Sequence, residues 1–199
     1  MNSNNNFKNF KQIVENTRAT RRFKQNISID TKDLSDLIDL TRTTSSSKNM
    51  QPLKYIIING NDDEAIKEEI YKPLKWAAHL SDWDQSENEK PSSYILILND
   101  TSIDGMPMID VGIALQTIML GLSSMGLNGC PLASIDKIAY KKLFKLSDNL
   151  EPFLIIAIGK SDEDIILVDA KDDTNYYRDE KQNHFVPKRT LEDVLVIVK

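Results

Sequence analysis

Two short stretches of this chain concentrate side chains able to grip a phosphate and a flat heteroaromatic ring. The first, Arg18-Ala19-Thr20-Arg21-Arg22-Phe23, places three guanidinium groups within five positions. Planar, permanently charged forks match phosphate oxygens better than a lysine ammonium does. The second, Thr44-Ser45-Ser46-Ser47-Lys48-Asn49-Met50-Gln51-Pro52-Leu53, is a polar run ending in Gln-Pro just before an apolar segment. Its hydroxyl and amide groups, at Ser46, Asn49 and Gln51, suit the polar edge of a heteroaromatic ring. Each stretch also has a plainer reading. Arginine clusters are often solvated helix faces, and Ser-Asn runs cap helices and make turns.

Apolar residues at Phe7, Phe10, Ile13 and Val14 predict a helix over 7–17 that delivers the arginines at its end. Residues 27–30 read as extended. Asp30 or Thr31 then caps a helix over 32–43, with Leu34, Leu37, Ile38 and Leu40 facing inward. The Thr-Ser run ends that helix and opens the polar loop, and a buried strand follows over 54–59. A turn at 60–63 starts a helix running to about Lys75. The charged stretch 81–92 is expected to be a mobile surface loop. Further strands are predicted over 93–99 and 152–159, with a short helix over 138–146 between them. The longest apolar stretch, Asp110 to Met125, is apolar around almost its whole circumference. Such a helix is buried on all sides, in a core or a subunit interface. Gly126-Leu127-Asn128-Gly129 stops it. Residues 160–199 alternate acidic turns with apolar segments at 165–168 and 191–198. The irregular succession of helix and strand favours an α+β sandwich over a doubly wound sheet.

A length of 199 residues suits a single domain. The net charge of −5 argues against nucleic acid as the main partner. The single cysteine, Cys130, excludes an internal disulfide and reads as a small buried residue rather than a nucleophile. His79 and His184 match no zinc motif. No apolar stretch reads as long enough to span a bilayer. Residues 1–6 are Asn-rich, lack the apolar core of a signal peptide and are expected to be disordered. These features together predict a cytoplasmic protein. No residue stands out as an obligatory acid, base or nucleophile.

RxxRRF followed by SxxNxQP resembles the FMN-dependent nitroreductase family, the NAD(P)H-dependent flavin oxidoreductases, whose usual forms are RRSxRxF and PSxxNxQPW. Asp110-Val111-Gly112-Ile113-Ala114-Leu115-Gln116-Thr117 resembles that family's DxGxAxQN helix start. Residues 121–132, 153–160 and 187–191 resemble its small-residue stretch, third strand and basic C-terminal element. The resemblance covers nearly the whole chain. It implies a three-layer α/β/α sandwich with a mixed, mostly antiparallel sheet. It also implies a homodimer with a swapped C-terminal arm drawn from 160–199 and an FMN site at the interface built from both chains.

By that resemblance the cofactor-binding positions are Arg18, Ala19, Arg21, Ser46, Asn49, Gln51, Gln116, Pro131, Leu132, Ala133, Lys188 and Arg189. Arg21 matches the cation at the flavin's pyrimidine edge. Arg18 with Lys188 or Arg189 would neutralise the phosphate. Gln116 either bonds the cofactor or satisfies a neighbouring backbone group. NADH or NADPH would be the electron donor, and a nitroaromatic, quinone or other flat small molecule the acceptor, in ping-pong fashion. The chain departs from the family where Thr17 and Ala19 replace Arg and Ser, Leu53 replaces an aromatic, and Thr117 replaces Asn. The departures at Thr17 and Ala19 keep open a flavin-binding protein without turnover; the apolar helix alone keeps open a structural oligomer without cofactor, and the family itself a different flavin-dependent redox reaction.

Overall fold

Three β-branched runs form the centre of the molecule. The computed structural model describes residues 3–59, 64–72, 74, 76 and 85–198. In chain order the elements are α1 (Ser3–Asn16), α2 (Thr31–Arg42), β1 (Leu53–Asn59), α3 (Glu64–Tyr71), β2 (Ser93–Asp100), α4 (Pro107–Ser124), β3 (Asn128–Leu132), α5 (Lys137–Leu143), β4 (Leu150–Gly159), β5 (Ile165–Asp169), β6 (Tyr177–Arg178), β7 (His184–Lys188) and α6 (Leu191–Val194).

The main sheet has the order β1-β2-β4-β3, and all its pairings are antiparallel. Ile57 stands opposite Ile95, and Ile95 opposite Ile156. Alternation along β2 and β4 sends side chains to two separate cores. Tyr94, Leu96, Leu98, Ile155 and Ala157 pack with Ile70 of α3 and Tyr140 of α5. Ile95, Ile97, Leu154, Ile156 and Ile158 pack with Leu34 and Leu37 of α2 and Val111, Ile118 and Leu122 of α4. The result is a three-layer sandwich, helices–sheet–helices. Each fully buried Ile or Leu is worth roughly 1.5–3 kcal/mol, and a one-residue slip in register, by swapping side chains between the two faces, would disrupt the packing of both cores. A smaller mixed sheet, β5-β7-β6, pairs β5 parallel and β6 antiparallel to β7.

Local chemistry explains the boundaries. The Asp30 carboxylate accepts from the Lys32 amide at 2.8 Å and caps α2. Gly126 follows α4 with φ +71°, a left-handed conformation that glycine adopts freely. The arginine segment leaves α1 as an extended strip along the sheet's end. The Thr20 amide donates to Gly129 O at 3.0 Å, Lys24 to Lys160 O at 2.8 Å, and the Asp162 amide to Arg22 O at 2.9 Å. Phe23 is fully buried and anchors the strip. A Cβ on Gly159 would lie 2.7 Å from the Phe23 ring, so only glycine fits beneath that anchor.

Several expectations are corrected. Ser3 to Asn6, expected to be disordered, are helical. Leu40 is half exposed while Thr41 takes the inward position. The stretch 85–92 is not a mobile surface loop. Its charges are matched, with Lys90 Nζ 3.0 Å from Glu68 and 2.7 Å from Glu87, and Gln85, Lys90 and Ser92 are buried. Residues 81–84, 60–63 and His79 lie outside the described residues. Within this chain α4 is buried along one face only. Met106 and Met108, and Ile109 beside them, remain exposed. By length and composition α4 is also long and apolar enough to cross a membrane, contrary to the sequence reading, yet its inward face packs in the second core. Strands β3, β6 and β7 were not legible in the sequence. Pro131 interrupts the pattern of β3, which tolerates it as an edge strand.

Candidate functional site

The arginine strip, α4, β3 and β7 enclose a hollow of about 290 Å³. Arg18, Ala19, Arg21, Gln116, Pro131 and Lys188 all line it, so six of the twelve residues singled out in the sequence converge. Tyr176, His184 and Val186 close it from the small sheet. Among the described residues none of Arg18, Arg21 and Lys188 forms a salt bridge. The Nε atoms of Arg18 and Arg21 are buried with no hydrogen-bond partner. Burial draws the Arg18 guanidinium below its ordinary pKa, opposed by Glu15. The Arg21 guanidinium lies 4.5 Å from the centroid of the Tyr176 ring, a cation–π contact. Burial raises the Tyr176 phenol and the Arg21 charge pulls against that rise. Three cations in no salt bridge among the described residues, around one concavity, attract an anion.

Directly behind this hollow lies Glu163, a residue the sequence gave no reason to select. Its carboxylate accepts from the Arg21 backbone amide at 2.5 Å and from Arg178 of β6, and it lies 3.3 Å from Nδ1 of His184 in β7. Burial alone would raise its pKa. Hydrogen bonding from His184 and the Arg21 amide, with the charge of Arg178, instead holds it at about 2.

The polar loop forms a second hollow, about 560 Å³, between α2, β1 and the start of α4. Ser46 and Gln51 line it beside Asp110, Tyr55, Ile38 and Ala114. Asp110 is buried and holds the loop: its carboxylate accepts from the Ser46 hydroxyl at 2.6 Å and from the Ser47 amide at 2.8 Å. The Ser46 oxygen accepts in turn from the Gln51 amide at 2.9 Å. The Gln51 side-chain amide donates to Asn49 Oδ1 at 3.0 Å. Lys48, Asn49 and Gln51 all carry positive φ, at 51°, 55° and 54°. Non-glycine residues there cost about 1–3 kcal/mol each and persist only where surrounding bonds impose them.

The remaining sequence-selected residues fall elsewhere. Asn49 is exposed at the loop tip and Ala133 is exposed just beyond β3. The Leu132 side chain belongs to the first core. Arg189 is exposed and lines neither hollow. Cys130 is buried, and burial pushes its thiol up to about 11, as suits an inert core residue. The two hollows share no lining residue. Asp110, although part of a recognisable motif, and Tyr176 were passed over because neither lies in a cation-rich or amide-rich run.

The profile of the nitroreductase family matches residues 14–160, which is most of the chain. No curated protein matches it in sequence. Among solved structures, a nitroreductase family protein from Clostridium novyi NT aligns with a TM-score of 0.63 at 22% identity, over 76% of this chain and 86% of that one. A nitroreductase family protein from Clostridium difficile 630 aligns at 0.60 and 23% identity, over 76% and 84%. A variant of the FMN- and NADPH-dependent nitroreductase NfnB from Sphigopyxis sp. strain HMH aligns at 0.61 and 16% identity, over 77% and 88%. At these identities the structural likeness is one of fold. The family profile, the antiparallel sheet between two helical layers and the arginine strip agree: this chain belongs to the nitroreductase family.

Proposed function

We propose that this protein is an FMN-dependent oxidoreductase that passes electrons from NADH or NADPH to a flat acceptor such as a nitroaromatic or quinone. The observation that carries the reading is the hollow lined by Arg18, Arg21 and Lys188, three cations in no salt bridge among the described residues. Its volume of about 290 Å³ lies at or below the ~300–1,000 Å³ typical of pockets for drug-sized ligands. It suits the phosphate and polyol of a flavin nucleotide and leaves the ring to a second surface. The amide-rich loop, clamped by Asp110 in a separate hollow, is the matching surface when a second copy of the chain supplies it.

In this reading Arg18 and Lys188 hold the phosphate, and Arg21 sits at the pyrimidine edge. The backbone at Pro131, Leu132 and Ala133 passes near the ring, and Gln116 bonds the polyol. Asn49 and Gln51 of the partner copy meet the ring edge. Bound FMN supplies the hydride-accepting chemistry. The chain supplies orientation and a fixed positive field that favours negative charge on the reduced ring. A shared pocket of this kind makes the protein a homodimer. The exposed face of α4 around Met108 and the apolar, exposed segment 194–198 provide surface for it, the latter as the swapped arm. Ping-pong kinetics follow when donor and acceptor use the same space in turn.

Thr17 and Ala19, in place of a cation and a hydroxyl, favour a second reading, in which flavin is bound without turnover. Anaerobic mixing of the FMN-loaded protein with NADH and with NADPH separates the two. Bleaching of the flavin by either donor, followed by reoxidation by a quinone, is the expected result. Bound flavin that neither donor bleaches would leave only the second reading.

A further inference from the structure

Glu163 reaches three parts of the chain at once, and how it reaches the first of them is informative. It bonds the backbone amide of Arg21, not the guanidinium. Its negative charge is met instead by Arg178, and it faces His184. The side chains of Glu163 and His184 are each 2% exposed and that of Arg178 is 10% exposed, so the cluster is secluded from water. Arg21 is therefore fixed in place while its charge stays unmatched. The same carboxylate lies 3.3 Å from Nδ1 of His184, the first residue of β7, whose backbone amide donates to Asp164 O at 2.9 Å; the last residue of that strand, Lys188, also lines the hollow.

We infer that Glu163 is a positioning residue for the anion-binding hollow: it fixes the Arg21 backbone and the Lys188-bearing strand relative to each other without neutralising either cation. The inference rests on the reading of that hollow as the phosphate end of a flavin site. A buried carboxylate used merely as a counter-ion would have paired with Arg21 itself and cancelled its field. The depressed pKa of Glu163, about 2, keeps the carboxylate charged across the physiological range. The charged and titratable groups around it are Arg178 and His184, with the Arg21 guanidinium and the Tyr176 phenol nearby.

Charge and position predict opposite signs, which makes the role testable. Glu163→Gln removes a negative charge behind the hollow. Electrostatics alone would then tighten FMN relative to riboflavin. Positioning predicts the reverse, because an amide N–H would confront the donors of Arg178 and the Arg21 backbone amide. Glu163→Asp keeps the charge and shortens the reach by one methylene, so charge alone predicts no change and positioning predicts loss.

The experiment measures FMN and riboflavin dissociation constants by flavin fluorescence for both variants, and amide hydrogen exchange in flavin-free protein. The expected result is about tenfold weaker FMN binding in both variants and less than threefold for riboflavin, since each variant forfeits a charge-assisted hydrogen bond. Exchange should quicken at Arg21 and over 184–188, with β2 and β4 unchanged. An FMN-to-riboflavin ratio at or above that of the parent protein, with unchanged exchange at Arg21, would overturn the inference. Should either variant fail to fold, Arg178→Gln, which keeps the carboxylate and removes one partner, should show the same pattern at reduced size; parental values there would overturn the inference equally. If the parent protein binds neither flavin, the proposed function falls, and the exchange data alone decide whether Glu163 fixes the two segments.

Discussion

Removing the Asp110 carboxylate should unfasten the polar loop. Asp110 is 4% exposed and accepts from the Ser46 hydroxyl and the Ser47 amide at 2.6 and 2.8 Å. Hydrogen bonds to a charged group contribute about 1.5–3 kcal/mol each, and a partner left unsatisfied in a buried site adds to the loss. Relief from burying the carboxylate offsets part of this. The net destabilisation of Asp110→Ala is therefore about 3 kcal/mol. For a chain of this size that lowers the midpoint of thermal unfolding by roughly 6–12 °C. The three positive-φ residues store strain that this clamp helps to hold in place, so the loop should relax as well as loosen. Asp110→Asn keeps one acceptor and should lose about half as much. Calorimetry gives the midpoint, and amide exchange at Ser47 reports the loop. A variant within 0.5 °C of the parent, with unchanged exchange at Ser47, would refute the reasoning.

The folded pKa of Glu163 lies below its unfolded value of 4.5, at about 2. Its contribution, roughly 3 kcal/mol, is present above pH 4.5 and is lost as the pH falls toward 2. Urea unfolding at pH 5 and pH 2.5 should show a steeper loss for the parent than for Glu163→Gln; equal slopes would contradict it. Gly159→Ala should cost about 1–3 kcal/mol through overpacking against Phe23, read by urea denaturation, with no loss if the ring can retreat freely. Arg21→Ala should leave the fold intact and weaken FMN binding about tenfold, as for a lost charge-assisted contact; unchanged affinity would remove Arg21 from the site. Ile118 and Leu122 are fully buried in their own chain, so charges there would test folding rather than assembly. Met108, 71% exposed, is the better probe: Met108→Glu should give a folded monomer by light scattering that no longer retains flavin.

The sequence announced those parts whose side chains follow a period or a motif. Val, Ile and Leu runs marked β1, β2 and β4, and Asp30 marked the start of α2. The arginine strip and the Gln-Pro loop were both visible as concentrations of one chemistry. What escaped depends on contacts distant in sequence. Glu163 lies 142 positions from the amide it fixes, and Asp110 lies 64 from the hydroxyl it holds. Nothing local distinguishes Glu163 from a surface acid, and the motif that contains Asp110 does not say what its carboxylate holds. Residues 85–92 were misread for a related reason: charge suggests solvent until the partner, Glu68, is placed beside Lys90. Strand β6 is only two residues long and β7 is interrupted by Pro187; β7 takes its order from pairing with β5 on one side and β6 on the other rather than from its own propensity. Composition marked α4 as apolar all round but cannot say which half its own chain covers; that half faces the second core, and Met108 and Ile109 lie outside it.

The most direct test of the account is equilibrium titration of the flavin-free protein with FMN, followed by its visible absorbance and fluorescence, with mass measured at the end point. The account predicts saturable binding of one FMN per chain in a dimer, abolished when Arg18, Arg21 and Lys188 are replaced together by alanine. A protein that leaves FMN free in solution, or that binds it equally well without those three cations, would contradict it.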